Sequence, residues 1–446
     1  VRLVRWLGHP ARVIPAAYLA AIALGTALLM LPVATVTRRS ADLIDAAFTA
    51  VSAICITGLV TVDTPTYWSS FGQVVILLLI QVGGFGIVTL ATILTLFTTG
   101  HLSLHGSLLA SQELHQRSLS DALRLPARIA AVMLGAELVT AAVLTWGFRS
   151  HADSWGMAAW YGVFHSVSAF NNAGFALFSS NLIGFVGAPA IILPICAAIV
   201  VGGLGFPVLF EVGRRWRRQG RWAWSAHTRL TIYGTVTLLV GGTLIFALAE
   251  WNNPLTLGPM PLGDRLLASL AGGVFPRTAG FNSIDYGAAD ESTLGLYYVL
   301  MFIGGGSAGT AGGIKVGTIG IILASVMAEL RGEEQVIVAH RAIPTAVQRS
   351  ALTVVMLGIV TVALATALIV ALEPFSLQQV LFETISAFGT VGLSMGITAQ
   401  LHSGSLVVLM LLMYLGRVGT ISVATALAVR AHHRHYLLPE EQPIVG

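Results

Sequence analysis

The chain has 446 residues, of which 55% are hydrophobic and only 10% charged, and its net charge is +4. A soluble domain carries about 25% charged residues, so this inventory cannot build a water-facing surface, and a mean hydropathy of +0.82 agrees. An ordinary soluble enzyme is excluded. No nucleic-acid partner is expected either, because the basic residues flank apolar runs instead of interleaving along a soluble face. Cys55 and Cys196 both lie in apolar context, which argues against a disulfide framework. The opening residues hold two arginines before an apolar run long enough to span, so a retained first span is expected, without a cleaved leader.

In chain order, Val13–Val36 predicts a helix long enough for about 30 Å of hydrocarbon at roughly 1.5 Å per residue. Leu43–Ile54 is about half that length and fits a re-entrant half-helix, and Gly72–Phe97 returns. The same order follows in Pro126–Phe148, Met157–Phe170 and Ile183–Val212. It recurs in Leu230–Ala249, Leu262–Val274 and an interrupted Leu294–Leu330, then in Ser350–Leu372, Leu377–Phe388 and Leu406–Val429. Each half-length run closes on a related turn: FTAVSAICITGL from Phe48, FHSVSAFNNAGF from Phe164, LAGGVFPRTAGF from Leu270 and FETISAFGTVGL from Phe382. Their glycines, Gly58, Gly174, Gly280 and Gly392, are 116, 106 and 112 residues apart. Such spacing marks a fourfold repeat. The repeats are expected over 1–100, 101–228, 229–348 (with an intramembrane loop over 304–318) and 349–430, followed by a tail over 431–446. In the third copy Gly272, Gly273 and Val274 stand where the others carry a Val/Ile–Ser pair, so its half-helix is the least secure.

The expected fold is an all-α membrane protein of eight transmembrane helices and four re-entrant pore half-helices, pseudo-fourfold around one pore. Of 24 Lys and Arg residues, 17 fall on the side shared by the N-terminus, the loops near Arg117–Arg128, Arg214–Arg229 and Arg331–Arg349, and the tail. That side is expected to be cytoplasmic. Arg38, Arg39, Arg149, Arg265 and Arg277 fall on the other side, with the four turns. Only Lys315 and Arg417 are expected at membrane depth, which makes them functional candidates.

Irregular backbone inside a bilayer must be buried in protein or line an aqueous cavity. Four turns at one depth meet this condition by converging on one axis, where their carbonyl oxygens can replace the hydration shell of a cation. The half-helices would point their negative C-terminal ends the same way. The candidate ion-binding residues are Cys55, Ile56, Thr57 and Gly58; Asn171, Asn172, Ala173 and Gly174; Arg277, Thr278, Ala279 and Gly280; Gly389, Thr390, Val391 and Gly392. Their neutral side chains favour selection by carbonyl dipoles over a ring of carboxylates. The plainer alternative is a set of helix caps in a packed bundle.

A second mark lies below each turn: Gly83–Gly84, Gly202–Gly203, Gly304–Gly305 and Gly416–Arg417, beginning 25, 28, 24 and 24 residues after the turn glycine. In the third copy it expands to Gly304, Gly305, Gly306, Ser307, Ala308, Gly309, Thr310, Ala311, Gly312 and Gly313. Each helical glycine costs about 1 kcal/mol against alanine, so a loop is expected to interrupt the helix and lie across the pore as a gate. Its GxGxxG match lacks the strand–turn–helix context of a phosphate site. Arg417 reads either as a pore-lining charge that opposes cations or as a structurally paired arginine. Lys315, the only lysine, either anchors the loop to carbonyls or to Glu137 or Glu211, or snorkels to the surface. Glu383 either orients its turn by accepting amide hydrogen bonds or faces an outer vestibule. Asp63, Asp285, Asp290 and Glu291 follow the turns as cation-concentrating acids or as solvated loop. His432, His433 and His435 lack a Cys/His framework and read equally as a basic tail, and Arg214–Arg218 as a lipid or protein contact.

The motifs CITGL, FNNAGF, PRTAGFN and GTVGL, with QVGGFG, GGLGFPV, GGGSAGTAGGIKVGT and YLGRVGT, run in an order that resembles the Trk/Ktr/HKT superfamily of potassium transporters over nearly the whole chain. The two further N-terminal helices of Trk-type members have no counterpart here, which favours the Ktr pore-forming type. The resemblance implies potassium uptake through a channel-like pore, with no enzymatic step. Gly58 matches the family's first filter glycine, where serine goes with sodium. It also implies K+ in the filter, Na+ as a modulator, and a multi-pass subunit of the bacterial cytoplasmic membrane with both termini inside. The LLPEEQPIVG ending resembles a tail associated with homodimer packing, on a cytosolic ring of RCK subunits that alone binds nucleotide. The rivals are a sodium- or proton-coupled secondary transporter, whose broken helices also hold midplane ions, and a sodium-selective relative.

Overall fold

The computed structural model describes residues 10–86, 119–217 and 224–419. The expectations for the far ends of Gly72–Phe97 and Leu406–Val429, for Arg117 and Arg218, for the histidines at 432, 433 and 435 and for the tail lie outside the described residues.

The first quarter holds α1 (Pro10–Leu29), the half-length α2 (Leu43–Ile54) and α3 (Ser70–Gly84). The second holds α4 (Leu119–Phe148), the short α5 (Trp155–Phe170), α6 (Pro189–Leu204) and α7 (Phe206–Arg217). The third holds α8 (Ala226–Glu250), the short α9 (Leu262–Val274), α10 (Glu291–Phe302) and α11 (Val316–Leu330). The fourth holds α12 (Thr345–Leu372), the short α13 (Leu377–Gly389) and α14 (Ser403–Tyr414), which ends in a π-helical turn at Leu415–Gly419. The least secure half-helix, α9, forms over the expected residues.

Three differences from expectation have physical causes. The first helix stops at Leu29 and not Val36: Pro32 has no N–H and pushes Leu31 to extended geometry (φ −63°, ψ 138°). The run Ile183–Val212 is not one helix. It breaks at Gly205 (φ 91°), so that α6 and the start of α7 meet at 97°. And the chain is not purely α: the loop after α11 carries a small antiparallel hairpin, β1 (Ile337–Val338) with β2 (Arg341–Ala342). Its two turn residues, Ala339 and His340, both have positive φ, as a two-residue hairpin requires.

Among the described residues three helices are long and apolar enough to cross a membrane alone, or four if the bent pair counts as one span. The shorter apolar helices are explained locally: α10 and α11 are the two parts of the interrupted run, and α2 is a half-helix. The half-helices form the centre of the fold. The faces of α2, α5 and α13 near their C-termini are almost wholly buried. Each packs in its own quarter, α2 on α1 and α3, α5 on α4 and α6, α9 on α8, and α13 on α12 and α14. Each also touches the later helix of the preceding quarter: α5 on α3, α9 on α6, α13 on α10 and α2 on α14. The packing therefore closes on itself.

Candidate functional site

Each short helix ends by turning left-handed. Ile56, Asn172, Thr278 and Thr390 have φ of 58°, 60°, 63° and 48°, and the glycine two residues later is again positive, at 95°, 72°, 69° and 98°. In three copies the end is a Schellman cap. The N–H of Thr57, Ala173 and Val391 donates to the carbonyl of Ser52, Ser168 and Ser386 at 2.7–2.8 Å. The hydroxyls of the same serines hold the other side of the turn. Ser52 Oγ accepts from Gly58 N–H (3.0 Å), Ser386 Oγ accepts from Gly392 N–H (3.1 Å), and Ser168 Oγ donates to Phe175 O (2.7 Å). The third copy has Val274 in that place and Pro276, with no N–H, inside the turn. Ala279 and Gly280 there donate to Phe275 O instead, at 3.1 and 3.3 Å.

The four turns meet one another. A methyl group on Gly58 would strike the carbonyl oxygen of Ala173, one on Gly174 that of Ala279, one on Gly280 that of Val391, and one on Gly392 that of Thr57. Each contact runs to the next quarter, and the last returns to the first. A side chain at any of these glycines is doubly excluded, by positive φ and by a neighbour's carbonyl. Of the sixteen candidate residues, Thr57, Ala173, Ala279, Val391 and the four glycines form this ring. Cys55, Ile56, Asn172, Thr278, Gly389 and Thr390 are buried in the turns behind it.

Two candidates turn away. The Asn171 amide donates to Glu137 Oε1 (2.9 Å) and to Val167 O (2.8 Å), while Gln81 donates to Glu137 Oε2 (3.0 Å). Arg277, expected on the outer side, is 6% exposed and donates to Gly304 O at 3.2 Å. Among the described residues it joins Arg417 as a buried cation, with Lys315 half-buried, and it points below the turns because the tightened third turn carries it inward.

Beneath the ring, the repeated glycines of the later helices serve close packing. Methyl groups on Gly83, Gly202 and Gly416 would strike the carbonyls of Ile54, Phe170 and Phe388, each four residues before its turn glycine. In the third quarter the chain leaves the helix instead. Residues 303–315 form a loop, closed at its base by Gly304 N–H to Ile314 O (2.9 Å) and Val316 N–H to Gly305 O (3.0 Å). The loop reaches into the second quarter, where Gly306 N–H donates to Gly203 O (2.7 Å), and the Thr310 hydroxyl to Phe170 O (3.0 Å). The Asn172 amide contacts Thr310 Oγ1 at 3.2 Å whichever way it is turned. The loop also explains the break at Gly205: Phe206 N–H donates to Ala308 O (3.2 Å), and a methyl group at Gly205 would strike Ser307 O.

Arg417, 6% exposed, ties the loop to two further quarters by donating to Thr310 O and to Gly83 O (3.2 Å). Lys315 Nζ donates to Ala311 O (2.6 Å) and Gly312 O (3.4 Å), the carbonyl anchor of the two expected. Glu211 accepts instead from Ser225 N–H (2.7 Å), Ser225 Oγ (2.8 Å) and Thr228 Oγ1. Glu383 is buried and accepts Met395 N–H (3.2 Å), so it orients its turn and does not face a vestibule. The outer acids act mainly locally: Asp63 accepts from Thr66 and Ser179, Asp285 from Gly287 and Asp290 from Ser292. The Ser292 hydrogen bonds hold the Asp290 carboxyl below its usual range.

A family model for TrkH, described as a cation transport protein, matches residues 13–436. The chain belongs to the TrkH family of cation transport proteins. Its relatives include the Ktr system potassium uptake protein B of Bacillus subtilis, 37% identical over 96% of this chain and 95% of the relative. The protein of the same name from Vibrio alginolyticus is 36% identical over 98% and 95%. The potassium/sodium uptake protein NtpJ of Enterococcus hirae is 34% identical over 98% and 97%. Within the superfamily the chain is thus similar to the B proteins of Ktr systems. The crystal structure of the potassium transporter TrkH from Vibrio parahaemolyticus shares the fold, with a TM-score of 0.72 at 17% identity, covering 94% of this chain and 86% of that one.

Proposed function

We propose that this protein takes up potassium across the bacterial cytoplasmic membrane through one pseudo-fourfold pore built from four helix–half-helix–helix repeats. The observation that carries this reading is the closed ring in which every turn glycine abuts the carbonyl preceding the next. A cation on that axis exchanges its water shell for peptide oxygens at fixed spacing, and the half-helix C-termini add favourable dipoles. Thr57, Ala173, Ala279, Val391 and the four glycines form the filter, and the neighbouring turn residues hold its shape.

The gate is the loop Gly304–Gly313 with Lys315 and Arg417. It lies against the inner side of the turns, and Arg417 holds a positive charge at the loop where a leaving cation passes. Conduction needs both a route and a controlled barrier. A cytosolic nucleotide-binding RCK ring would act on that barrier, with the subunit working as a homodimer and both termini inside. The names of the Ktr relatives, each part of a system, support a regulatory partner. Na+ then acts as a modulator. One relative is named for both potassium and sodium, which makes sodium passage the second reading.

The test is uptake by liposomes containing purified protein. Potassium uptake that outpaces sodium, follows voltage steeply and needs no partner ion is expected; obligatory sodium or proton coupling would favour a secondary transporter. Gly58→Ser forces a side chain at φ 95° against Ala173 O, and should reduce discrimination between K+ and Na+. Unchanged selectivity in that variant would refute the filter assignment.

A further inference from the structure

Aligning the four quarters on their turn glycines singles out the second position of each turn motif. Nine residues before the glycine stand Thr49, His165, Ala271 and Glu383. Two of these are strong hydrogen-bond acceptors buried in apolar surroundings, His165 at 0% and Glu383 at 1% exposure. Both do the same thing. Leu177 N–H donates to His165 Nε2 at 3.3 Å, and Met395 N–H donates to Glu383 Oε1 at 3.2 Å. Leu177 and Met395 are each three residues past their turn glycine, so each bond closes the strand leaving the ring back onto the half-helix beneath it.

The chemistry at His165 is fully specified. Its Nδ1 lies 2.8 Å from Tyr161 O, a carbonyl that can only accept, so Nδ1 carries the hydrogen. Nε2 is then a bare lone pair, which is what an amide N–H requires. Phe148 and Phe178 pack on the ring, at 5.2 and 5.1 Å between centroids, and exclude water as a substitute partner. Glu383 accepts in addition from Ser394 Oγ and from Thr398 Oγ1 (2.9 Å), so one carboxylate gathers the whole segment from 394 to 398. Among the described residues the other two quarters have no such link. Ala271 has no acceptor, and the buried Thr49 hydroxyl has no partner, while Thr61, three past Gly58, donates its hydroxyl to Asp45 at 2.7 Å.

We propose that His165 and Glu383 are positioning residues that pin the outer rim of the filter across one diagonal, between the second and fourth quarters. The ring order places Gly174 and Gly392 opposite each other, so the two pins set the separation of facing carbonyls, and with it the cation size that fits. The proposal rests on the filter reading above. It assigns specificity to two side chains that do not touch the ion.

The test is K+ against Na+ uptake in liposomes, with amide hydrogen exchange over 175–178 and 394–396 measured on the same preparations. His165→Phe keeps an aromatic ring and removes both nitrogens; Glu383→Leu removes the carboxylate. Each should raise the Na+/K+ uptake ratio about five-fold, the factor corresponding to one ordinary hydrogen bond, and speed local exchange. His165→Gln and Glu383→Gln, which keep an acceptor, should restore the wild-type ratio, and Thr49→Ala should leave it unchanged. A wild-type ratio with wild-type exchange in both His165→Phe and Glu383→Leu overturns the proposal. Faster exchange with unchanged selectivity overturns it too, by reducing the pins to structural supports. If a variant does not assemble, the other diagonal partner decides. A wild-type protein that does not prefer K+, or a Gly58→Ser variant that keeps its preference, would instead remove the filter reading itself.

Discussion

At the turns, four segments of dissimilar sequence adopt the same alternation of handedness, and even Ile56, Thr278 and Thr390, β-branched residues, take positive φ there. Below them, the helices that follow have diverged. One stops at Gly84, one bends by 97° at Gly205, one opens into the loop at 303–315, and one runs into a π-helical turn at Leu415–Gly419. Non-glycine residues in left-handed geometry cost on the order of 1–3 kcal/mol each. Four such residues persist at one level because each turn is wedged against the next. The lower level carries no such uniformity. A shared demand shapes the ring, while the divergence below lets a single loop from one quarter reach the second and, through Arg417, join the fourth and first.

That contrast breaks most visibly at the loop. Deleting Ser307–Thr310 removes the Thr310 contacts and the partner of Phe206 N–H, several bonds each worth roughly 1 kcal/mol. Potassium flux should rise by about two orders of magnitude with selectivity intact, and a folded but silent protein would contradict a gating role. Arg417→Ala should have the next largest effect. It removes charge-assisted bonds to Thr310 O and Gly83 O, each worth about 1.5–3 kcal/mol, so flux should rise about tenfold at wild-type selectivity. Failure to assemble would make Arg417 a structural tie. Ser386→Ala should show the smallest change, confined to the ring: Gly392 N–H loses its acceptor, at about 1 kcal/mol. It should shift the K+/Na+ ratio a few-fold and leave total flux unchanged; a change in flux without one in selectivity would blur the two levels.

Much of the ring was legible in sequence, because its demands are local. Half-length apolar runs and a glycine at fixed distance define Leu43–Ile54, Leu262–Val274 and the turns, and a serine six residues before the glycine marks three of the four. The interruption after Leu294 was legible for the same reason, since a string of glycines cannot stay helical. The break at Gly205 was not: GGLGFPV looks like continuous apolar helix, and its cause is a loop a hundred residues downstream. Arg277 was misplaced on the outer surface because its neighbours lie in an outer loop, whereas Pro276 and the altered third turn carry it inward. The plain alternative of helix caps also survives in part. Three of the turns are Schellman caps, and it is their mutual contact, invisible from any one copy, that makes a ring.

The most direct test of the ring as an ion path is anomalous scattering from crystals grown with Tl+ or Rb+ in place of K+. The account predicts ion density on the axis enclosed by the carbonyls of Thr57, Ala173, Ala279 and Val391. Ion density bound elsewhere in the membrane region, with the centre of that ring empty, would contradict it.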